Sequence, residues 1–446
     1  MNTLILKNAI LVNEGNEIHA DVLIKGQRIE RIDQDISDAK AKVLDIEGKF
    51  LLPGCIDDQV HFREPGLTQK ADIRSESRAA VAGGVTSFME MPNTQPQTLD
   101  ANLLESKYER ASLVSAANYS FYMGASNHNL DAVLQIQYDQ VCGIKVFMGS
   151  STGDMLVDDE KVLSDLFKHA PVLIATHCED EQTIRDNLNF YIEKYGDQLD
   201  VSFHPIIRNR EACFASSSMA VELAKQHGTR LHILHISTQN ELALFDGSIP
   251  LDQKRITAEA CVHHLFFDDK DYHVLGNQIK CNPAIKTAED RKALAKALTS
   301  GVLDVVATDH APHLWDEKQQ HYSKAPSGLP LVQHSLRMMW TLAQENGWNL
   351  PFVVEKMAHN PAICFQVKDR GFIREGYYAD LVVFDANAVS EVSHSELLYK
   401  CGWSPLNGKA LKGRILQTYV SGNLAYDNEK IQEGNRGMRL EFNRKS

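Results

Sequence analysis

The 446-residue chain is 43% hydrophobic and 24% charged, enough apolar material for one large barrel with an appendage or for two or three ordinary domains. Its formal net charge of -13 argues against a nucleic-acid partner, which needs a basic face, but leaves room for a small anionic substrate met by a few local cations. No apolar run reaches about 18 residues, so no transmembrane helix is expected, and the start MNTLILKNAILVNEGNE lacks a cationic leader before a long apolar stretch, so no secretory signal is expected. In chain order, the first runs are TLILKNAILVN, ADVLIKGQRIERI and AKVLDIEGKFLLPG. Their two-residue alternation, broken by Gly and Asn, predicts a small antiparallel sheet. ADLVVFDAN and GRILQTYVSGNLAYD near the C-terminus share that texture. The two ends therefore predict one discontinuous β domain, residues 1–52 plus 370–446.

The middle, residues 53–369, has a different rhythm. Short apolar runs alternate with helix-like stretches such as DIRSESRAAVAGG and SSSMAVELAKQHG. The runs are CIDDQVHF, GVTSFMEMPNT, ANYSFYMGAS, GIKVFMGSS, PVLIATHCED, RLHILHIST, RITAEACVHH and VLDVVATDHAPH. Alternating strand and helix implies a parallel sheet, and eight such strands predict an α/β fold of the TIM-like (β/α)8 barrel type. Polar residues gather where the runs end: Gln59, His61, Asn93, His177, His235 and Asp309. Barrel enzymes place their active sites at that end of the strands. EKQQHYSKAPSG, after the last run, reads as a loop able to cover the site. Eight cysteines, none in a CxxC pair, suit buried thiols in a reducing cytoplasm.

The strand-end residues carry chemistry suited to a metal. Imidazole is a common zinc ligand, although a lone histidine such as His61 is more often structural. His177 and His235 end two further runs. His232 lies three residues before His235 and should face the other way on a strand, so His235 is the candidate. Asp309 follows a fully apolar run and would be desolvated unless a metal or hydrogen bonds stabilise it; its alternative is to cap the next helix. Lys145 lies within an apolar strand, where a lowered pKa would let the neutral amine capture carbon dioxide as a bidentate carbamate. Its alternative is a lysine snorkelling from a strand edge.

HFREPG at 61–66, MPNT at 91–94, HCED at 177–180, HIST at 235–238, NPAIKT at 282–287, TDHAPH at 308–313, NPA at 360–362 and ADLVVFD at 379–385 stand in order along the chain. In these motifs the sequence resembles the longer bacterial dihydroorotases of the cyclic amidohydrolase group. The resemblance implies a metal-dependent barrel with a β-sandwich built from both termini. It implies reversible cyclisation of N-carbamoyl-L-aspartate to L-dihydroorotate in cytoplasmic pyrimidine biosynthesis. It also implies one or two Zn2+ ions held by His61, Lys145 (N6-carboxylated), His177, His235 and Asp309, with Asp309 catalytic. Arg63, Asn93, Asn282 and His313 match substrate-binding positions. A homodimer, and association with aspartate carbamoyltransferase, are the implied assemblies. Arg63 offers a planar fork to a substrate carboxylate, which neutral ureides and imides do not need; its alternative is a surface ion pair with Glu64.

Gln59 departs from the family pattern of two histidines one residue apart. Asp57, Gln59 and His61 should share one strand face and Asp58 should point away, unless a bulge intervenes. An amide oxygen is a weak zinc ligand, so one of two metal positions is expected to be weakened. Two further readings are an inactive dihydroorotase-like protein and another cyclic amidohydrolase such as an allantoinase.

Overall fold

Asp72 ends an extended stretch, and its side chain accepts the amide of Ser75 at 2.8 Å, which starts the helix Ile73–Ala82. Asn209 caps the helix Arg210–His227 in the same way, and Gly228, in the left-handed region, ends it. Such helices pack outside eight short strands in the computed structural model, which describes residues 3–149 and 155–444. Ser150 and Ser151, at the end of the fourth apolar run, lie outside the described residues.

The strands are Cys55–Val60, Val85–Glu90, Asn118–Gly124, Ile144–Phe147, Ile174–His177, Leu231–Ile233, Ile256–Cys261 and Val305–Ala307. Each pairs in parallel with its neighbour. In the third, Asn118–Phe121 pairs with the second strand and Met123–Gly124 with the fourth, so the chain crosses the seam at Tyr122. A parallel bridge from Val60 to His310, with His61 N donating to His310 O at 2.7 Å, joins the last strand to the first. The protein is a (β/α)8 barrel with a β-sandwich domain drawn from both termini.

Inside the barrel, Ile56, Met89, Leu173, Ala175, Leu234 and Val305 form an apolar plug. Phe365, Leu440 and Phe442 pack against it. Alternate strand residues such as Ile144, Val146, Ile174, Ile233 and Val306 face the helices in a second, larger core. The barrel interior is therefore packed rather than open.

The terminal domain is a nine-stranded sheet with its own core of Leu6, Val22, Ile24, Leu51, Leu381 and Val383. It is mixed, which corrects the antiparallel expectation for the N-terminal runs. Thr3–Asn13 and Asn16–Lys25 do pair antiparallel, but Lys42–Asp45 and Phe50–Pro53 run parallel to Thr3–Asn13. The segment 34–41 returns the chain to the start of that strand instead of hairpinning it. Phe50–Pro53 then pairs antiparallel with Leu381–Glu391, which stitches the two ends of the chain together.

Candidate active site

The first strand does not keep a two-residue rhythm. Its register breaks between Asp57 and Val60. Ile56 joins the barrel plug, and Asp58 lies at 0% exposure near His232 and Glu259. Asp57 instead accepts the hydroxyl of Thr308 at 2.6 Å and its amide at 3.2 Å, on the neighbouring strand. The shared face expected for Asp57, Gln59 and His61 is thus corrected: the bulge separates Asp57 from Gln59 and His61, which both line the cleft.

A second break of rhythm brings in His235. His232 and Leu234 face the barrel interior, so regular alternation would send His235 outward. Its backbone turns left-handed, φ 41°, and the ring enters the cleft. His232 therefore does not face away from His235, contrary to expectation; both rings are interior, at different depths. Arg63 and Asp309 also hold left-handed backbones, φ 69° and 46°. Strained non-glycine backbone gathers at functional sites, and three of the cleft residues show it.

The cleft has a volume of about 770 Å³ and gathers every residue that the sequence singled out: His61, Arg63, Asn93, Lys145, His177, His235, Asn282, Asp309 and His313, with Gln59 among them. His61 Nδ1 lies 2.8 Å from the side-chain oxygen of Asn93, which fixes the ring and turns Nε2 toward Asp309 Oδ1 at 3.1 Å. Opposite, His177 Nδ1 and His235 Nε2 stand 3.0 Å apart. His177 Nε2 is 3.1 Å from the buried carboxylate of Glu179, which burial pushes up but Arg208 and His177 hold down at about 2. Burial holds His61, His177 and His235 below the ordinary imidazole range, leaving neutral rings with lone pairs to give. Lys145 is 1% exposed, and burial lowers its amine to about 8. It makes no ion pair among the described residues; its Nζ lies 4.6 Å from the centre of the Phe147 ring. Two close pairs, His61 with Asp309 and His177 with His235, together with a buried amine lining the same cleft, supply the donor chemistry of a divalent-ion site.

Gln59 donates Nε2 to Asp309 Oδ1 at 3.2 Å, while its Oε1 faces the thiol of Cys261 at 3.6 Å. In that pose the amide steadies Asp309, and its oxygen lies beside Cys261, whose thiol is nearer Glu259 Oε1 at 3.3 Å.

The anion side is built around Arg63. The expected alternative, an ion pair with Glu64, is not formed: Glu64 pairs with Arg110 at 2.7 Å. Arg63 donates to Pro312 O at 3.1 Å and to His313 Nε2 at 3.0 Å, and it forms no ion pair among the described residues. Burial brings its guanidinium down to about 10. Lys70, which nothing in its GLTQK context marked out, also lines the cleft; its Nζ is 3.1 Å from His313 Nδ1 and 3.0 Å from Glu317. Burial, then the charges of Arg63 and Lys70, press His313 to about 3. Asn282 lines the cleft, and its buried Oδ1 has no hydrogen-bond partner among the described residues. Gly66 and Gly328 let the walls close: a Cβ at Gly66 would meet Gln95 O at 2.0 Å, and one at Gly328 would meet Ala311 O at 2.5 Å.

The profile of the amidohydrolase family matches residues 50–425. The chain belongs to the amidohydrolase family. It is 33% identical over 433 residues to a dihydroorotase from Carboxydothermus hydrogenoformans, across 94% of this chain and 96% of that one. It is 30% identical over 442 residues to an allantoinase from Escherichia coli K12, across 96% of both chains. Among solved structures, an L-hydantoinase (dihydropyrimidinase) from Arthrobacter aurescens superposes with a TM-score of 0.92 at 26% identity, covering 97% of this chain and 98% of that one. This amidohydrolase is accordingly a hydrolase of the C–N bond of a cyclic amide.

Proposed function

We propose that this amidohydrolase is a dihydroorotase, closing N-carbamoyl-L-aspartate to L-dihydroorotate and reopening the ring. The observation that carries the reading is Arg63: a buried guanidinium lining the cleft with no ion-pair partner among the described residues. A buried cation without an ion partner is expensive. A substrate carboxylate supplies that partner in a two-pronged pairing, and the rings of allantoin and hydantoin have none to offer. Lys70 and Asn282 extend the same recognition surface.

His61, His177, His235, Asp309 and a carboxylated Lys145 would hold one or two zinc ions. A zinc ion there supplies a Lewis acid for the ring carbonyl and brings water to a pKa of about 7. Lys145 suits carboxylation because its amine, near 8, is partly neutral at physiological pH. In the hydrolytic direction, Asp309 takes a proton from the attacking water and passes it to the ring nitrogen as the amide C–N bond breaks. Gln59 Nε2 donates to the carboxylate of Asp309 and steadies it for both transfers. Arg63 and His313 fix the substrate carboxylate, so the ring amide is presented at a set distance.

Zinc-supplied protein should turn over dihydroorotate and carbamoyl aspartate far faster than allantoin or hydantoin, and Arg63→Met should abolish that preference. Faster turnover of allantoin, indifferent to Arg63→Met, would make the chain an allantoinase. No turnover of any ring after zinc loading would make it an inactive relative.

A further inference from the structure

Below the cleft, on the same strands, lies a cluster that the reaction does not use. Asp58 precedes Gln59, His232 precedes His235 by three residues, and Glu259 precedes Cys261 by two. All three side chains are 0% exposed, and none lines the cleft. Asp58 Oδ1 and Oδ2, His232 Nε2 and Glu259 Oε2 make no hydrogen bond among the described residues. His232 Nε2 lies 3.3 Å from Asp58 Oδ2 and 3.5 Å from Glu259 Oε2. The three ligand atoms lie within 4.8 Å of one another.

We propose that Asp58, His232 and Glu259 form a divalent-cation site separate from the cleft, taking an ion of the zinc or manganese kind. The spacing is that of ligands sharing an ion. Bonds of about 2.0–2.2 Å to a tetrahedral centre set ligand-to-ligand edges of about 3.3–3.6 Å, and the two distances from His232 fall within that range.

The surroundings orient each donor. Thr257 Oγ1 donates to Leu231 O at 3.3 Å, so at 2.7 Å it receives the Nδ1 proton of His232. With an ion bound, the ring is neutral and Nε2 offers its lone pair between the two carboxylates; without one, burial is outweighed by Asp58 and Glu259, which raise the imidazole to about 9. Glu259 spends its other oxygen, Oε1, on the amide of His235 at 3.0 Å and the thiol of Cys261 at 3.3 Å. Oε2 remains free for the ion. Two carboxylates balance one divalent charge, and imidazole with carboxylate is a donor set suited to transition ions. Glu259 also holds the backbone of His235, so an ion here would brace a strand end that reaches the cleft.

The competing arrangement is an imidazolium clasped by the two carboxylates. The test uses full-length protein expressed and purified with zinc. An enclosed ion should survive EDTA that empties the open cleft, leaving one slowly exchanging equivalent per chain by elemental mass spectrometry. Anomalous diffraction at the zinc edge should place it about 2.0–2.3 Å from the three donor atoms. Asp58→Asn should lose that equivalent while zinc in the cleft is kept. If Asp58→Asn does not fold, Glu259→Gln and the wild-type anomalous map decide. Absence of an anomalous peak at the triad in wild-type crystals, or an unchanged EDTA-resistant count in a folded variant, would overturn the site and leave the imidazolium. Neither measurement depends on turnover.

Discussion

Asp309 accepts from Gln59 Nε2 at 3.2 Å and lies 3.1 Å from His61 Nε2, on a left-handed backbone that turns its carboxylate into the cleft. Its proposed work is proton transfer, which a carboxamide cannot do. Asp309→Asn should therefore lower kcat by about 10²–10⁴-fold with little change in KM, read by steady-state kinetics. Gln59 leads to a second expectation. Its amide nitrogen is spent on Asp309 and its oxygen is a weak zinc ligand, so restoring an imidazole should add a ligand. Gln59→His should raise the zinc affinity of the His61 side, seen as slower loss of cleft zinc to a chelator. It should also weaken the brace on Asp309. At this scale the sequence was most readable for side-chain identity, because a histidine or aspartate ending an apolar run is conspicuous. Backbone twist was not readable. The left-handed turns at Arg63, His235 and Asp309, and the bulge after Asp57, come from tertiary closure of the barrel, which a two-residue period does not encode.

The loop expected at 317–328 is pinned from within rather than hinged. Lys318, 1% exposed, donates to Lys280 O at 3.1 Å, Pro326 O at 2.9 Å and Gly328 O at 2.9 Å. Lys280 donates to Tyr322 O at 2.7 Å and Ala325 O at 2.6 Å. Two buried ammonium groups thus satisfy five carbonyls. They hold Pro326, Ser327 and Gly328 as one wall of the cleft, beside His313. Lys318→Met keeps the apolar stem but leaves Pro326 O and Gly328 O without their donor, while Lys280 O keeps the amide of Gly328 at 2.8 Å, at about 1–3 kcal/mol for each buried group left unpaired. Faster proteolysis within 317–328 and a raised KM should follow, with kcat less affected, because the loop shapes the binding wall and not the proton path. The loop itself was legible from its polar composition. Its anchoring was not, since a lysine in EKQQ looks like any solvated charge until the fold buries it.

At the scale of the molecule, the terminal sheet and the barrel meet through a buried polar knot at the end of the third barrel strand away from the cleft. Arg370 pairs with Asp380, both under 5% exposed. Asp380 accepts from Asn118 Nδ2 at 3.1 Å and Ser421 N at 2.7 Å, and Ser421 Oγ donates to Asn118 Oδ1 at 3.1 Å. The knot joins the start of a barrel strand to both flanks of the C-terminal half-sheet. That two β-rich ends form one domain could be read from their shared texture; which residues weld it to the barrel could not, because Arg370 and Asn118 are far apart in sequence and neither sits in a motif. Removing one charge of such a pair strands the other in a dry interface. Arg370→Met should destabilise the fold by about 3–5 kcal/mol in denaturant unfolding. The double change Arg370→Met with Asp380→Leu should lose less than the two single changes summed, because no orphan charge remains. Both variants, assayed below their unfolding transitions, should keep the wild-type kcat per folded molecule, since the knot lies outside the cleft. A fall in kcat that persists in fully folded protein would show instead that the terminal domain sets the geometry of the strand ends.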